Sequence, residues 1–216
     1  MTDPLAFVRA TTELETPPLV PEIRLHLANE VLPLWRKTEE ELAQEGVAPP
    51  YWAFAWAGGQ ALARYVLDHA DEIGVKGASV LDFGAGSGLV AIAAAKAGAA
   101  KVLAADIDPF AAAAMVVNAK DNGVVLGTTC EDVIGHAGSW TLILVGDMCY
   151  ERPLAERLLA WLTAETKAGA TVLIGDPGRN YFPKSGITKL ATYEVPTSRD
   201  LEDRDMRVTS VYRLTP

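Results

Sequence analysis

The segment Leu81–Gly88, LDFGAGSG, constrains the fold of this chain more than any other part of it. An acidic residue and three glycines stand between a short apolar run and an alanine-rich stretch, in the pattern D-x-G-x-G-x-G. Glycines at a strand-to-helix turn let the backbone approach a ligand closely, as in the first βα unit of a Rossmann-like sheet. The pattern therefore predicts an α/β fold with a ligand beside this turn.

After residue 50, apolar runs alternate with helical stretches, which is typical of βαβ units. The predicted strands are Ser79–Phe83, Lys101–Ala105, Val124–Gly127, Thr141–Val145 and Ala170–Ile174. The predicted helices are Gly58–Asp71, Leu89–Ala97, Pro109–Asn122 and Pro153–Lys167. Two later runs, Thr188–Val195 and Met206–Leu214, have no predicted helix between them, and we expect an antiparallel pair at the sheet edge.

Residues 1–50 differ from the rest because seven prolines interrupt them. Two short helices are predicted here, Glu22–Glu30 and Trp35–Glu45, in an N-terminal extension packed on the domain. No second composition regime or repeat follows. We therefore expect residues 1–216 to form a single domain.

The formal charge of −9 excludes some partners. An acidic surface repels phosphate backbones and anionic lipid, so we expect no nucleic acid and no membrane as partner. The two cysteines, Cys130 and Cys149, lack metal-ligand spacing, so no metal site is expected. Two cysteines and no leader pattern favour a cytoplasmic protein.

The glycine turn fits S-adenosylmethionine better than NAD. A dinucleotide fold expects G-x-G-x-x-G, and here the third glycine comes one residue early. The carboxylate of Asp82 is unfavourable beside a diphosphate but suits a ligand that carries an ammonium or a sulfonium. Asp106 ends the next strand, where a carboxylate can accept both ribose hydroxyls; alone, it does not separate the two cofactors.

The fourth strand ends in Gly146–Tyr150, GDMCY, at the sheet edge where open α/β folds bind ligands. Many enzymes that methylate planar amines resemble one another in an N/D-P-P-Y/F sequence at this place. This chain keeps Asp147 and Tyr150 but has Met148 and Cys149 between them. The difference favours a non-planar amine such as lysine over a nucleobase or a glutamine.

Five segments together resemble the electron transfer flavoprotein beta-subunit lysine methyltransferases. They are PYWAFAWAGGQ (Pro50–Gln60), LDFGAGSG (Leu81–Gly88), ADIDP (Ala105–Pro109), GDMCY (Gly146–Tyr150) and IGDPGR (Ile174–Arg179). That family belongs to the seven-stranded class I methyltransferases and is similar to ribosomal protein L11 methyltransferase. Ala57 differs from the family pattern, which has proline there. The resemblance implies that S-adenosylmethionine is the cofactor and the flavoprotein beta subunit is the partner.

The resemblance also implies residue roles. Asp147 and Tyr150 would form the lysine site. The cofactor-binding residues would be Trp56 at the amino-acid end, Asp82, Gly84, Gly86 and Gly88 at the methionine moiety, Asp106 at the ribose, Ile107 on the adenine face, and Glu131 or Asp132 at the adenine amino group. The sequence leaves open which of Glu131 and Asp132 has that role. It also leaves open whether Asp176 and Arg179 shape the site or only hold their loop in place.

Two other functions remain compatible with the sequence. One is a class I methyltransferase acting on ribosomal protein L11 or on a small amine. The other is a binding module that holds the cofactor without turnover, against which the presence of both Asp147 and Tyr150 counts.

Overall fold

The computed structural model of the chain describes residues 3–28, 49–136, 138–202 and 204–215. The helices are α1 (Pro4–Thr11), α2 (Ala57–Asp68), α3 (Leu89–Lys96), α4 (Pro109–Asp121), α5 (Arg152–Lys167) and α6 (Arg199–Glu202), with a 3₁₀ turn at Tyr51–Ala53. The strands are β1 (Glu13–Glu15), β2 (Leu25–Leu27), β3 (Ser79–Phe83), β4 (Lys101–Ala105), β5 (Gly127–Thr129), β6 (Leu142–Gly146), β7 (Thr171–Asp176), β8 (Ile187–Pro196) and β9 (Met206–Leu214).

A seven-stranded sheet forms the centre of the molecule, in the order β5-β4-β3-β6-β7-β9-β8. The five strands from β3 to β7 are parallel, and β9 is antiparallel to both of its neighbours. The strand order reverses between β3 and β6, because β3 pairs with β4 on one side and with β6 on the other. In open α/β sheets the ligand binds outside the carboxyl ends of the strands at such a reversal.

Apolar side chains cover both faces of the sheet, as parallel strands require. On one face Val80 and Leu144 pack in the cluster that contains α2, α3 and α4. On the other face Leu81 and Ile143 pack against α5, through residues such as Leu158. None of the described helices is long and apolar enough to cross a membrane.

The alternating region folds largely as its pattern predicts. β3 and β4 have the predicted bounds, and the four predicted helices form with ends that differ by three residues or fewer. The strand predicted at Val124–Gly127 is wrong in position, because β5 begins only at Gly127. The backbone N–H of Val124 still donates to the Ala119 carbonyl at 3.0 Å, so the first of the predicted strand residues belongs to the turn that follows α4.

The N-terminal segment differs from the prediction. The described part of the predicted helix Glu22–Glu30 contains β2, which pairs antiparallel with β1. Leu25 and Leu27 are buried while His26 between them is half-buried, a period of two that suits a strand. The second predicted helix, Trp35–Glu45, lies outside the described residues. α1, which the sequence did not indicate, packs its Phe7 ring 4.9 Å from that of Phe110 on α4.

The late pair of strands forms as expected, antiparallel and at the sheet edge. β9 lies between β7 and β8, so the last strand in sequence is not the outermost one. A short helix, α6, interrupts the connection where no helix was expected.

Two glycines let α2 lie directly on β7. A Cβ atom placed on Gly58 would collide with the carbonyl oxygen of Gly175, and one placed on Gly175 would collide with the carbonyl oxygen of Gly58. Neither clash can be relieved by a side-chain rotation, because both partners are backbone atoms. The contact therefore requires glycine at both positions and fixes where the first turn of α2 lies.

The Gly58→Ala variant should lower the free energy of unfolding by about 1–3 kcal/mol, the usual cost of overpacking. Gly59→Ala is the matched control, because a Cβ at the next residue of the same helix meets nothing within 4 Å. Since alanine favours a helix by roughly 1 kcal/mol over glycine, the control should be neutral or more stable. Chemical denaturation of both variants checks this, and equal stabilities would contradict the close contact.

Candidate active site

A cavity of about 470 Å³ lies at the carboxyl edge of the parallel strands. A smaller one of about 50 Å³ adjoins it. The two cavities share five of their lining residues: Trp56, Gly84, Gly86, Gly146 and Asp147. The pair of cavities therefore surrounds the glycine turn and the end of β6, at the place where the strand order reverses.

The glycine turn contributes two of its three glycines to the cavity walls. Gly84 and Gly86 line both cavities with positive φ angles of 65° and 51°. Gly88 lines neither; it is the N-cap of α3, and a Cβ there would lie 3.2 Å from the Met115 side chain. The structure thus places Gly88 where it allows α3 and α4 to pack closely, and away from the expected cofactor contact.

The carboxyl group of Asp82 lies buried at the wall of the smaller cavity. Its Oδ2 accepts a hydrogen bond from the Ala91 N–H at 2.8 Å. Burial raises the pKa of Asp82 to about 8, against the opposing effect of that hydrogen bond. Because an ionised carboxylate without a counter-ion is costly to bury, this site favours a ligand group that brings a positive charge.

Asp106 presents a carboxylate to the larger cavity from the end of β4. Its Oδ2 accepts from the Gly86 N–H and its Oδ1 from the Asp108 N–H, each at 3.0 Å. Burial raises the pKa of Asp106, and these two hydrogen bonds oppose the rise. Each oxygen keeps one further acceptor position, so the group can still receive two hydroxyl donors. Beside it the side chain of Ile107, 73% exposed, offers an open apolar face to the cavity.

Glu131 and Asp132 both line the larger cavity, and the structure distinguishes them. Asp132 Oδ2 lies 2.7 Å from Arg157 Nη2, and the hydrogen bond from this guanidinium lowers the pKa of Asp132. The Glu131 carboxylate makes no hydrogen bond or ion pair with any residue in the described ranges. Glu131 is therefore the freer acceptor for a ligand amino group.

Asp147 lies at the junction of the two cavities and is held from two sides. Its backbone has a φ of 59°, a conformation that asparagine, aspartate and glycine adopt most readily. Its Oδ1 accepts two hydrogen bonds from Arg179, at 2.7 and 3.1 Å, and its Oδ2 accepts one from the Gly59 N–H at 3.0 Å. Burial raises the pKa of Asp147 to about 6, although Arg179 opposes the rise.

The structure answers the question about the loop after β7. Asp176 Oδ1 accepts from the backbone N–H groups of Gly178 and Arg179, both at 2.7 Å, and so shapes the turn. Arg179 extends from that turn into the larger cavity, where its Cζ lies 5.6 Å from the Trp56 ring centroid. Asp176 therefore holds the loop in place, and Arg179 belongs to the site.

Three aromatic rings line the mouth of the larger cavity. The ring of Tyr51 lies 6.0 Å from that of Trp56 and 5.9 Å from that of Tyr150. The Trp56 Nε1–H donates to the Tyr51 carbonyl at 2.8 Å, which fixes the indole. Because Tyr51 and Tyr150 are 52% and 44% exposed, these rings lie where the cavity opens to solvent, and Asp147 lines the same cavity.

Some of these residues escaped prediction from the sequence. Tyr51 and Gly59 lie within the motif PYWAFAWAGGQ, so their neighbourhood was recognised but not their contacts. Glu202, which binds Arg179, had no motif to signal it. Within the part of the chain that the structure describes, no cluster of residues could hold a metal ion.

Comparison with known proteins agrees with this geometry. The family model for ribosomal protein L11 methyltransferase (PrmA) matches residues 53–136. An L11 methyltransferase of Aliivibrio salmonicida is 44% identical over 94 residues, covering 44% of this chain and 32% of that protein. The match to the family model covers the glycine turn and Asp106 and ends before Asp147.

Other relatives align along nearly the whole chain. An electron transfer flavoprotein beta subunit lysine methyltransferase of Xenopus laevis is 40% identical over 222 residues, covering 100% of this chain and 88% of that protein. The human protein of the same name is 36% identical over 223 residues, covering 98% and 82%.

A solved structure confirms the fold. The magnesium protoporphyrin IX methyltransferase of Synechocystis PCC 6803 superposes with a TM-score of 0.55 at 15% identity, covering 74% of this chain and 80% of that one. Together with the full-length relatives, these findings show that the chain belongs to the family of electron transfer flavoprotein beta subunit lysine methyltransferases.

Proposed function

We propose that this chain is a protein-lysine N-methyltransferase that uses S-adenosylmethionine and acts on the beta subunit of electron transfer flavoprotein. The observation that carries the proposal is the place of Asp147, a buried carboxylate at the junction of two cavities, behind an aromatic mouth. The names of the full-length relatives support it. Those names state the reaction and the substrate of the relatives.

The smaller cavity fits the amino-acid end of the cofactor. Asp82 would pair with its ammonium group, because the buried carboxylate lacks a cationic partner among the groups that influence its pKa. Gly84 and Gly86 would leave room for the chain of the methionine moiety, and Trp56 lines both cavities beside it. Bound there, the cofactor would supply a methyl group activated by the adjacent sulfonium.

The larger cavity fits the nucleoside. Asp106 would accept the two ribose hydroxyls at its remaining acceptor positions. Ile107 would cover one face of the adenine, and Glu131 would accept a hydrogen bond from its amino group. Asp132 would instead hold the side chain of Arg157, with which it forms an ion pair.

The mouth fits the side chain of lysine. The rings of Tyr51, Trp56 and Tyr150 would surround a long unbranched chain, and a cation over such a ring gains about 0.5–2 kcal/mol. Asp147 would accept a hydrogen bond from the amine and so orient its lone pair, since alignment of reacting groups is a large part of catalysis.

Charge supports this partner, as do the names of the relatives. A chain of net charge −9 complements a lysine in a basic neighbourhood. Ribosomal protein L11 is less favoured as substrate, because the family model for its methyltransferases matches residues 53–136, a range that does not include Asp147. That nucleic acid does not bind, and that the protein works in the cytoplasm with Cys130 and Cys149 both reduced, remain predictions.

S-adenosylmethionine should bind and NAD should not, because Asp82 would meet a diphosphate where an ammonium fits. The Asp106→Ala variant should bind the cofactor more weakly, by on the order of 1.5–3 kcal/mol for each hydrogen bond lost to the carboxylate. Titration calorimetry with both ligands measures this. Unchanged affinity in the variant would remove Asp106 from the ribose site.

Cofactor binding should depend on pH through Asp82. Because its pKa is about 8, the group is protonated near neutral pH, and pairing with an ammonium would release that proton. Affinity should therefore rise as the pH approaches 8 in the wild type, and the rise should be absent in Asp82→Asn. The raised pKa of Asp82 also means that this group lowers the stability of the wild type as the pH rises from about 4 to about 8, and the variant lacks that contribution. Titration calorimetry in two buffers measures the proton released on cofactor binding, and melting curves across this pH range measure the change in stability.

Asp147→Asn should leave cofactor affinity nearly intact and lower methyl transfer by about 10²-fold or more, because orientation of the amine is lost. Asparagine tolerates the same positive φ, so the backbone should not change. The readout is the intact mass of purified electron transfer flavoprotein after incubation with enzyme and cofactor. Asp68→Asn, an exposed carboxylate paired with Arg64 on α2, is the matched control and should keep full activity.

Full activity of Asp147→Asn would disprove the role of Asp147. A wild-type enzyme that methylates ribosomal protein L11 but leaves the flavoprotein unchanged would disprove the proposed substrate.

A further inference from the structure

The guanidinium of Arg179 joins two buried carboxylates. Its Nε and Nη2 donate to Asp147 Oδ1, and its Nη2 and Nη1 donate to the two oxygens of Glu202 at 2.9 and 3.3 Å. The side chains of Arg179 and Glu202 are only 17% and 1% exposed. A planar guanidinium held on two edges has little freedom to rotate.

Glu202 reaches this site from a distant part of the chain. It belongs to α6, between the antiparallel strands β8 and β9, and it lines neither cavity. Arg207 at the start of β9 also donates to it, from Nε to Oε2 at 3.1 Å. Glu202 is therefore fixed by the edge hairpin and has no access to the reacting groups.

We propose that Arg179 and Glu202 are positioning residues for the methyl transfer: Arg179 fixes the carboxylate of Asp147, and Glu202 fixes Arg179. The inference rests on the proposed function. A carboxylate offers about four acceptor positions, and three of those on Asp147 are taken by Arg179 and by the Gly59 N–H. The one that remains is on Oδ2, so the substrate amine has a single place to donate its hydrogen bond.

The same contacts set the charge that the amine meets. A lysine has an ordinary pKa of about 10.4 and must be neutral to attack, whereas an isolated carboxylate would stabilise its ammonium form. The charged groups that act on Asp147 are Arg179 and Asp176 from β7 and its loop and Glu202 from α6, and the N-terminus of α2 also faces it. Arg179 is the cation among them, so it offsets the charge of Asp147 while the carboxylate stays an acceptor.

Removal of the cation tests this. Arg179→Met should lower kcat by about tenfold or more, with cofactor affinity changed less than about threefold. Arg179→Lys keeps the charge but loses the two-edged contact, so its kcat should also fall while its pH profile stays near that of the wild type. If the methionine variant fails to fold, the lysine variant and Glu202→Gln carry the test.

The pH profile separates positioning from a merely structural role. Arg179 lowers the pKa of Asp147, so its removal raises that pKa, and the acid limb of kcat/KM should move to higher pH. Glu202 raises the pKa of Asp147, so Glu202→Gln should move the limb to lower pH, even though its kcat falls. A structural defect alone would not shift the limb in opposite directions.

Arg199→Met is the matched control. Arg199 also lies on α6 and forms an ion pair, but with the exposed Asp205, at 2.7 Å on the surface. It should keep the wild-type kcat and pH profile. The inference is overturned if Arg179→Met behaves like this control, or if its activity falls only in proportion to cofactor affinity and melting temperature.

A second measurement needs no substrate. The melting temperatures of Arg179→Met, Asp147→Asn and the double variant form a double-mutant cycle. Two residues in contact should give changes in melting temperature that do not add up in the double variant. Additive effects would overturn the inference even if the wild type methylates the flavoprotein. Non-additive effects together with an inactive wild type would instead count against the proposed function.

Discussion

The direct contact between α2 and β7 determines much of the site. Because Gly58 and Gly175 carry no side chains, the first turn of the helix lies against the strand backbone. That places the Gly59 N–H within hydrogen-bond distance of Asp147 and sets Trp56, the residue before the helix, at the cavity wall. A helix held farther from the sheet by two methyl groups would move all of these groups away from one another.

Charge is distributed unevenly along the carboxyl edge of the sheet. Asp82 is the last residue but one of β3, and Asp106 and Asp147 directly follow β4 and β6. Burial raises the pKa of all three. Only Asp147 has a guanidinium beside it. The other two accept hydrogen bonds from backbone N–H groups, so they depend on a ligand for further compensation. This difference separates the end that would hold a cationic cofactor from the end that would handle an amine that must become neutral.

The parts of the fold that local pattern determines were predictable. The glycine turn and the acids at strand ends identify the fold and most of the site, because strand ends and helix starts have strong local signals. The strand β2 was not predictable as one, since β1 and a hydrogen bond from the His26 N–H to Asn118 stabilise it there. Nor could the pairing of Arg179 with Glu202 be seen, because it depends on a contact across the hairpin between β8 and β9.

The strand order has a consequence for synthesis of the protein. β9 follows β8 in sequence yet lies between β7 and β8, so β7 has no partner on one side until β9 has been translated. An unpaired β-strand edge is prone to associate with other chains while a protein is still emerging from the ribosome. Arg207, at the start of β9, also donates a hydrogen bond to Glu202. Formation of the site and protection of this edge would then occur in the same late step of folding.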